Sequence, residues 1–211
     1  MYRSLIVVDD FYPEPQKVRE AALNATYPDP ESDKYPGRNS KEKFQVRGLD
    51  EAVQRIFGEP IQSHPHPDGP HLRFRMTLAG ETGRNIAHVD PVPPLVAVGI
   101  VYLTLPEHCR GGTAFYAHRD IEMDTVPSPE HLQERTGCSD VKSLLQKDGQ
   151  DPDKWEHLMT VPMRFNRAVL YRPWMWHSAG EPFGDSIENG RLIHVLNFVP
   201  EQPGSEGQSG R

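Results

Sequence analysis

Asn85-Ile86-Ala87-His88-Val89-Asp90 and Trp174-Met175-Trp176-His177-Ser178-Ala179-Gly180 are the two stretches whose reading decides the fold. Successive side chains on a strand point to opposite faces. His88 and Asp90 then share one face, and Val89 turns away. His177, carried in by a distant strand, completes a triangle of two imidazoles and one carboxylate. Such a donor set, with its remaining positions open, suits non-haem Fe(II) that must also bind a cosubstrate and dioxygen. A lone His-x-Asp pair carries little weight, so the rest of the chain has to support it.

The segments around the two stretches read as strands. Before His88, Leu72, Phe74, Met76 and Leu78 alternate with Arg73, Arg75 and Thr77, which predicts a strand over 72–79. Its arginine face is either a solvated edge or the wall of an anionic pocket. After Asp90, residues 95–105 are a valine-rich apolar run, expected as a buried central strand that stops at Pro106. Gly111 and Gly112 then feed a Thr113, Phe115, Tyr116 strand through a tight bend. Residues 164–171 form a strand that leads towards His177. The last strand is 191–199, where Arg191 shares a face with Ile193, Val195 and Asn197.

Further from the two stretches, residues 4–8 read as a short strand. An amphipathic helix is expected over 16–27, with Asp10 or Pro13 near its cap, and another over 49–57, stopped by Gly58. The polar stretch 28–43 reads as a loop. His64, His66 and His71 lie in a Pro/Gly-rich turn that fixes no ligand on a rigid element. Residues 118–162 read as a partly helical insertion, since a structureless connection of that length is uncommon. Together with 28–43 it is expected to act as a lid. The Gly/Ser/Gln/Glu-rich 200–211 is expected to be a disordered tail.

Composition narrows the function classes. The chain has 211 residues, enough for one domain with a sizeable core. A net charge of -7 argues against a nucleic-acid partner. No apolar run approaches the roughly 20 residues of a membrane span. Leu5-Ile6-Val7-Val8 is followed at once by two aspartates, so it reads as a strand and not as a signal peptide. Cys109 and Cys138 are the only cysteines, which excludes a disulfide framework and points to a reducing, cytoplasmic setting. The 21 prolines favour a β-rich fold with long connections.

Taken in order, a His-x-Asp segment, an apolar strand ending near Gly-Gly-Thr, a strand running into His-Ser-Ala-Gly and an arginine opening the last strand resemble the iron(II)- and 2-oxoglutarate-dependent oxygenase superfamily, in its prolyl-hydroxylase-like branch. The resemblance covers residues 72–199. The start, Asp9 to Pro13 leading into a helix, is similar to that of uncharacterised bacterial members. The resemblance implies a mainly β fold with flanking helices, a double-stranded β-helix (a jelly-roll, cupin-like barrel). It would be one domain over 1–199, with 1–71 as helical support and 72–199 as the core. It implies Fe(II) held by His88, Asp90 and His177, with 2-oxoglutarate and dioxygen as cosubstrates. Arg191, preceded by Gly190, would anchor the far carboxylate of 2-oxoglutarate with Tyr102, and Asn197 would point into the barrel. Arginine's planar fork matches a carboxylate bidentately. Arg73, Arg75, Arg172 and His118 are candidate substrate contacts. The activity implied is hydroxylation of an unactivated carbon in a small molecule or peptide side chain, with an amino-acid-like substrate. The alternatives are a zinc-dependent hydrolase on the same barrel and a non-catalytic sensor or binding module. Neither gives Arg191 a reason to be in a buried strand.

Overall fold

The structure, a computed structural model, describes residues 2–29, 36–81, 83–90 and 93–201. Its frame is a seven-stranded antiparallel sheet. Along it lie β1 (Leu5–Val8), β8 (Ala168–Tyr171), β5 (Ala97–Tyr102), β10 (Arg191–Pro200), β4 (Arg73–Thr77) and β2 (Arg38–Lys43), and β3 (Ile61–Ser63) pairs with the far end of β10. A second sheet runs β7 (Trp155–Pro162), β6 (Gly112–His118), β9 (His177–Ser178). A bridge between His88 and His177 extends it by one segment. From β4 onward the chain passes back and forth between the two sheets, with the His88 segment between β4 and β5, and β6 and β7 following one another in the second sheet.

β5 is buried at every position because the main sheet is covered on both faces. Ala97 and Val101 face α1 (Pro15–Leu23) and α2 (Leu49–Phe57), in a core with Val18, Val53, Phe57, Phe74, Leu170, Leu196 and Phe198. Val98, Ile100 and Tyr102 face the second sheet, in a cluster with Phe115, Val161, Val169, Tyr171 and Ile193. A strand covered on both sides has no solvent face to encode, so it reads as a continuous apolar run.

Several expected elements are corrected. Residues 28–43 are not a single loop, because 38–43 form β2 against β4. β2 is Arg-Asn-Ser-Lys-Glu-Lys, an edge strand whose charges suit solvent and leave no apolar alternation to read. Of the rest of that loop, 30–35 lie outside the described residues, as do 202–211 of the expected tail. α1 begins at Pro15, with Glu14 next to Pro13 at its N-cap, and ends at Leu23, short of the expected Tyr27. The 1–71 segment contributes three strands as well as helices. The insertion holds α3 (Pro129–Thr136), α4 (Val141–Asp148) and then β7, an ordinary strand paired with β6 along its length. It has its own core of Ile121, Leu132, Leu144, Trp155 and Trp176. Trp155 meets Trp176 at 5.2 Å and 66°, which anchors the insertion beside His177.

Arg172 closes the sheet from below. Its guanidinium donates to the carbonyls of Arg3 (3.0 Å) and Val96 (2.9 Å) and to Glu59 (2.5 Å), and it lies 4.8 Å from the Phe57 ring centroid. Loss of one partner strands buried acceptors. Arg172→Ala is therefore expected to lower the unfolding free energy by roughly 2–4 kcal/mol. A denaturant titration checks this, and divalent-metal affinity of the folded variant should match the parent's.

Candidate metal centre

His88 and Asp90 do not sit on a regular strand, contrary to the sequence expectation. They lie in an extended segment held by three backbone hydrogen bonds. His88 N–H donates to the His177 carbonyl and His177 N–H to the His88 carbonyl, both at 2.9 Å, and Asp90 N–H donates to the Pro173 carbonyl at 2.9 Å. This short ladder does what a strand would do: it keeps His88 and Asp90 on one side and sets His177 opposite them. One ligand atom from each of the three residues lies within 4.8 Å of the others.

The tautomer of His177 follows from its partner. Its Nδ1 is 2.8 Å from the Met175 carbonyl, which can only accept, so Nδ1 carries a proton. In the neutral ring the lone pair is then on Nε2, 3.4 Å from Asp90 Oδ2. Two acceptors facing each other at that distance call for a cation between them. The His88 ring packs against His177 with centroids 4.3 Å apart. Burial, with help from His177 and Arg75, pushes the His88 pKa well below its ordinary value, which keeps the imidazole neutral as a metal ligand needs. Burial raises the Asp90 pKa, against the pull of His177 and Arg75.

At the other end of the same interior, Arg191 opens β10 opposite Thr77. It is 3% exposed, and its Nε has no hydrogen-bond partner among the described residues. The guanidinium lies 5.7 Å from the Tyr102 ring centroid, and the Tyr102 hydroxyl pairs with Thr113 Oγ1 at 2.7 Å. Burial lowers the Arg191 pKa, while the Tyr102 and Tyr171 hydroxyls oppose that shift. A guanidinium stays charged in a protein, and a buried charge is costly unless paired. The residue set and this buried cation thus fit a metal with a dicarboxylate beside it.

Residues 2–195 match the model of a family of unknown function (DUF6445). The chain belongs to that family. No curated protein is similar enough in sequence to match. In three dimensions the DUF6445 chain resembles the non-heme alpha ketoglutarate dependent carbocyclase SnoK from nogalamycin biosynthesis, with a TM-score of 0.55 at 14% identity over 94% of this chain and 80% of that one. It also resembles HygX from Streptomyces hygroscopicus, solved with nickel, 2-oxoglutarate and hygromycin B, with a TM-score of 0.52 at 10% identity over 93% and 83%. The alpha ketoglutarate dependent epimerase SnoN gives 0.50 at 16% identity over 99% and 88%. At these identities the likeness is one of fold: the DUF6445 chain has the fold of these non-heme enzymes. No helix among the described residues is long and apolar enough to cross a membrane.

The remaining sequence candidates separate cleanly. Arg75 lies on the interior face of β4, and its charge acts on both His88 and Asp90. Arg73 instead donates to the carbonyls of Gly69, Ser40 and Lys41 and ties β2 to β4. Arg172 is the structural clamp described above. His118 is buried in the insertion, 3.2 Å from Asp148 and edge-on to Trp155. Asn197 stands six residues along β10 from Arg191, roughly 20 Å at the rise of a strand, too far to hold the same carboxylate. Sequence reasoning missed Tyr171. Its ring meets His177 at 4.7 Å and Phe115 at 5.4 Å, and its hydroxyl influences Arg191, so it spans the space between the triad and the arginine. Two-residue alternation from Val169 along β8 is the signal that points it inward.

The raised pKa of Asp90 has a measurable consequence for stability. Above the unfolded value of 3.8 the folded protein holds more protons on this group than the unfolded chain does. Stability from this group is therefore lost as pH rises through the folded pKa. Asp90→Asn removes that cost, so the metal-free variant should melt higher than the metal-free parent at pH 7. A divalent metal should raise the melting temperature of the parent and leave that of Asp90→Asn nearly unmoved. A scanning calorimetry comparison with and without Mn(II) checks both statements.

Proposed function

We propose that this chain is an Fe(II)- and 2-oxoglutarate-dependent dioxygenase, built as a double-stranded β-helix, that hydroxylates an unactivated carbon of a small molecule or peptide side chain. The observation that carries this reading is Arg191. It is a buried guanidinium with no acidic ion-pair partner among the described residues, at the far end of the interior that holds the His88, Asp90 and His177 donor atoms. A metal that served only as a Lewis acid would leave that cation unexplained.

In this reading His88, Asp90 and His177 hold the metal on one triangular face and leave the opposite face open. When bound, iron and 2-oxoglutarate supply the oxygen-activating chemistry, with the cosubstrate oxidised to succinate and carbon dioxide. The Met175 carbonyl fixes the His177 tautomer so that Nε2 faces the metal. Arg191 would hold the distal carboxylate of 2-oxoglutarate through a charge-assisted contact, with Tyr102, itself paired with Thr113, beside it. Val98, Ile100, Val169, Ile193 and Phe115 exclude water around the reacting groups.

Removing one partner of a buried charge pair costs about 2–5 kcal/mol. Arg191→Leu should therefore weaken 2-oxoglutarate binding to the Mn(II)-loaded protein by roughly 30- to several-thousand-fold. Arg191→Lys should be intermediate, because the charge stays and the fork geometry is lost. Mn(II) affinity should hardly change in either. Calorimetric titration with metal and then with 2-oxoglutarate decides the matter. Parent-like 2-oxoglutarate binding by Arg191→Leu would remove the reading's main support, as would absence of succinate release from the Fe(II)-loaded parent.

A further inference from the structure

We propose that Asp148 is a positioning residue for the metal centre and that, with Gly149, it fixes the backbones of His88 and His177 from one point in the insertion. The proposal rests on the reading of His88, Asp90 and His177 as metal ligands and deepens it. Neither histidine has a long strand to hold it. β9 is two residues, and the His88 segment joins the second sheet through a bridge. In an extended segment every second N–H points to the same side. The N–H groups of Ile86, His88 and Asp90 accordingly form one row, and they donate to the carbonyls of Gly149 (2.8 Å), His177 (2.9 Å) and Pro173 (2.9 Å). The first rung of the ligand-bearing segment thus comes from the insertion, two residues before His88. Gln150 Nε2 adds a second tie, to the Arg84 carbonyl at 2.9 Å.

Asp148 holds the far end of that rung. It is the last residue of α4 and is buried. Its Oδ2 accepts from Nε2 of His118 at 3.2 Å, and His118 is itself fully buried at the end of β6. Its carbonyl accepts from Trp155 Nε1 at 3.0 Å. Trp155 packs on Trp176, the residue before His177. One turn of chain therefore reaches both histidine segments, the first through the Gly149 carbonyl and the second through the Trp155 indole. A buried carboxylate is a costly way to fill space, and an apolar side chain would pack there without that cost. What Asp148 adds is direction: its contact with His118 sets where α4 ends and so where the Gly149 carbonyl points. Gly149 has no room for a side chain, since a Cβ there would collide with the Leu145 carbonyl and the Asn85 side chain. Ligands carried on short segments need such support to hold a metal geometry.

The test uses Co(II) as the probe metal. It reads the affinity of the folded protein, well below each melting temperature, and the visible absorption of the bound ion, which reports ligand geometry. Asp148→Ala should weaken Co(II) binding by about tenfold, the lower end of the loss when a residue supporting a metal ligand is removed, and should shift the visible bands. Asp148→Asn keeps an oxygen that accepts from His118, so it should stay within about threefold of the parent with an unshifted spectrum. Gly149→Ala leaves both buried side chains in place and should reproduce the loss. Amide exchange at Ile86 should quicken in Asp148→Ala and Gly149→Ala. A purely structural role would lower the melting temperature and leave the affinity and spectrum of the folded protein like the parent's. That result for either variant overturns the proposal, and Gly149→Ala decides alone if Asp148→Ala does not fold. A loss in Asp148→Asn equal to that in Asp148→Ala also overturns it, because charge and not the His118 contact would then be at work. If the parent binds Co(II) no better than His177→Ala does, the metal-centre reading itself fails, an outcome distinct from the others.

Discussion

The reciprocal backbone pair between His88 and His177 is the constraint on which the site depends. Side-chain ligands from distant parts of a chain can meet only if their backbones are fixed to within a fraction of an ångström. Here two hydrogen bonds do that directly between the two ligand residues, and Asp90 N–H to Pro173 adds a third. Everything around this pair keeps it in place. β6 holds β9 through Phe115 opposite His177. The Trp155–Trp176 contact locks the insertion behind it. The Phe115 and Tyr171 rings brace the His177 imidazole from inside.

The second constraint is electrostatic. The interior is apolar along Val98, Ile100, Val169 and Ile193, yet it contains Asp90, two histidines, Arg75 and Arg191. Burial works against the charged forms of Asp90, His88 and Arg191, raising the pKa of the first and lowering those of the other two. A fold does not keep several ionisable groups in such a place for stability. Arg172 shows the structural alternative, a buried guanidinium whose donors all reach carbonyls or Glu59. The contrast between Arg172, which is paired with a carboxylate, and Arg191, whose Nε has no hydrogen-bond partner among the described residues, separates a clamp from a candidate anion site.

The insertion illustrates how a long charged segment can be structural. Three of its helix and strand elements pack on a small core of their own, and His118 and Asp148 are buried together inside it. The expectation of a mobile lid over all of 118–162 followed from its charge and length, which describe its outer surface.

The sequence by itself determined the strand buried on two faces, the two outer helices and the three residues, His88, Asp90 and His177, that the fold brings together. Those features rest on local signals: the continuous apolar run of β5, the periodicity of α2 ending at Gly58, and the His-x-Asp spacing. It did not determine β2, whose polar residues alternate with nothing, or β7, where Leu158 and Met159 are exposed beside polar neighbours and no two-residue alternation survives. Only the tertiary structure decided which arginines face the interior. Arg73 and Arg75 share a strand face and a side-chain type, and Arg172 lies a few residues from His177. Their roles diverge because β2 supplies the Ser40 and Lys41 carbonyls to Arg73 and the Asn39 side chain to Arg75, while Arg3 before β1 and Glu59 after α2 supply a carbonyl and a carboxylate to Arg172. Partners that come from distant parts of the chain leave no local pattern, so the fate of a charged side chain is settled by packing and not by its neighbours in sequence.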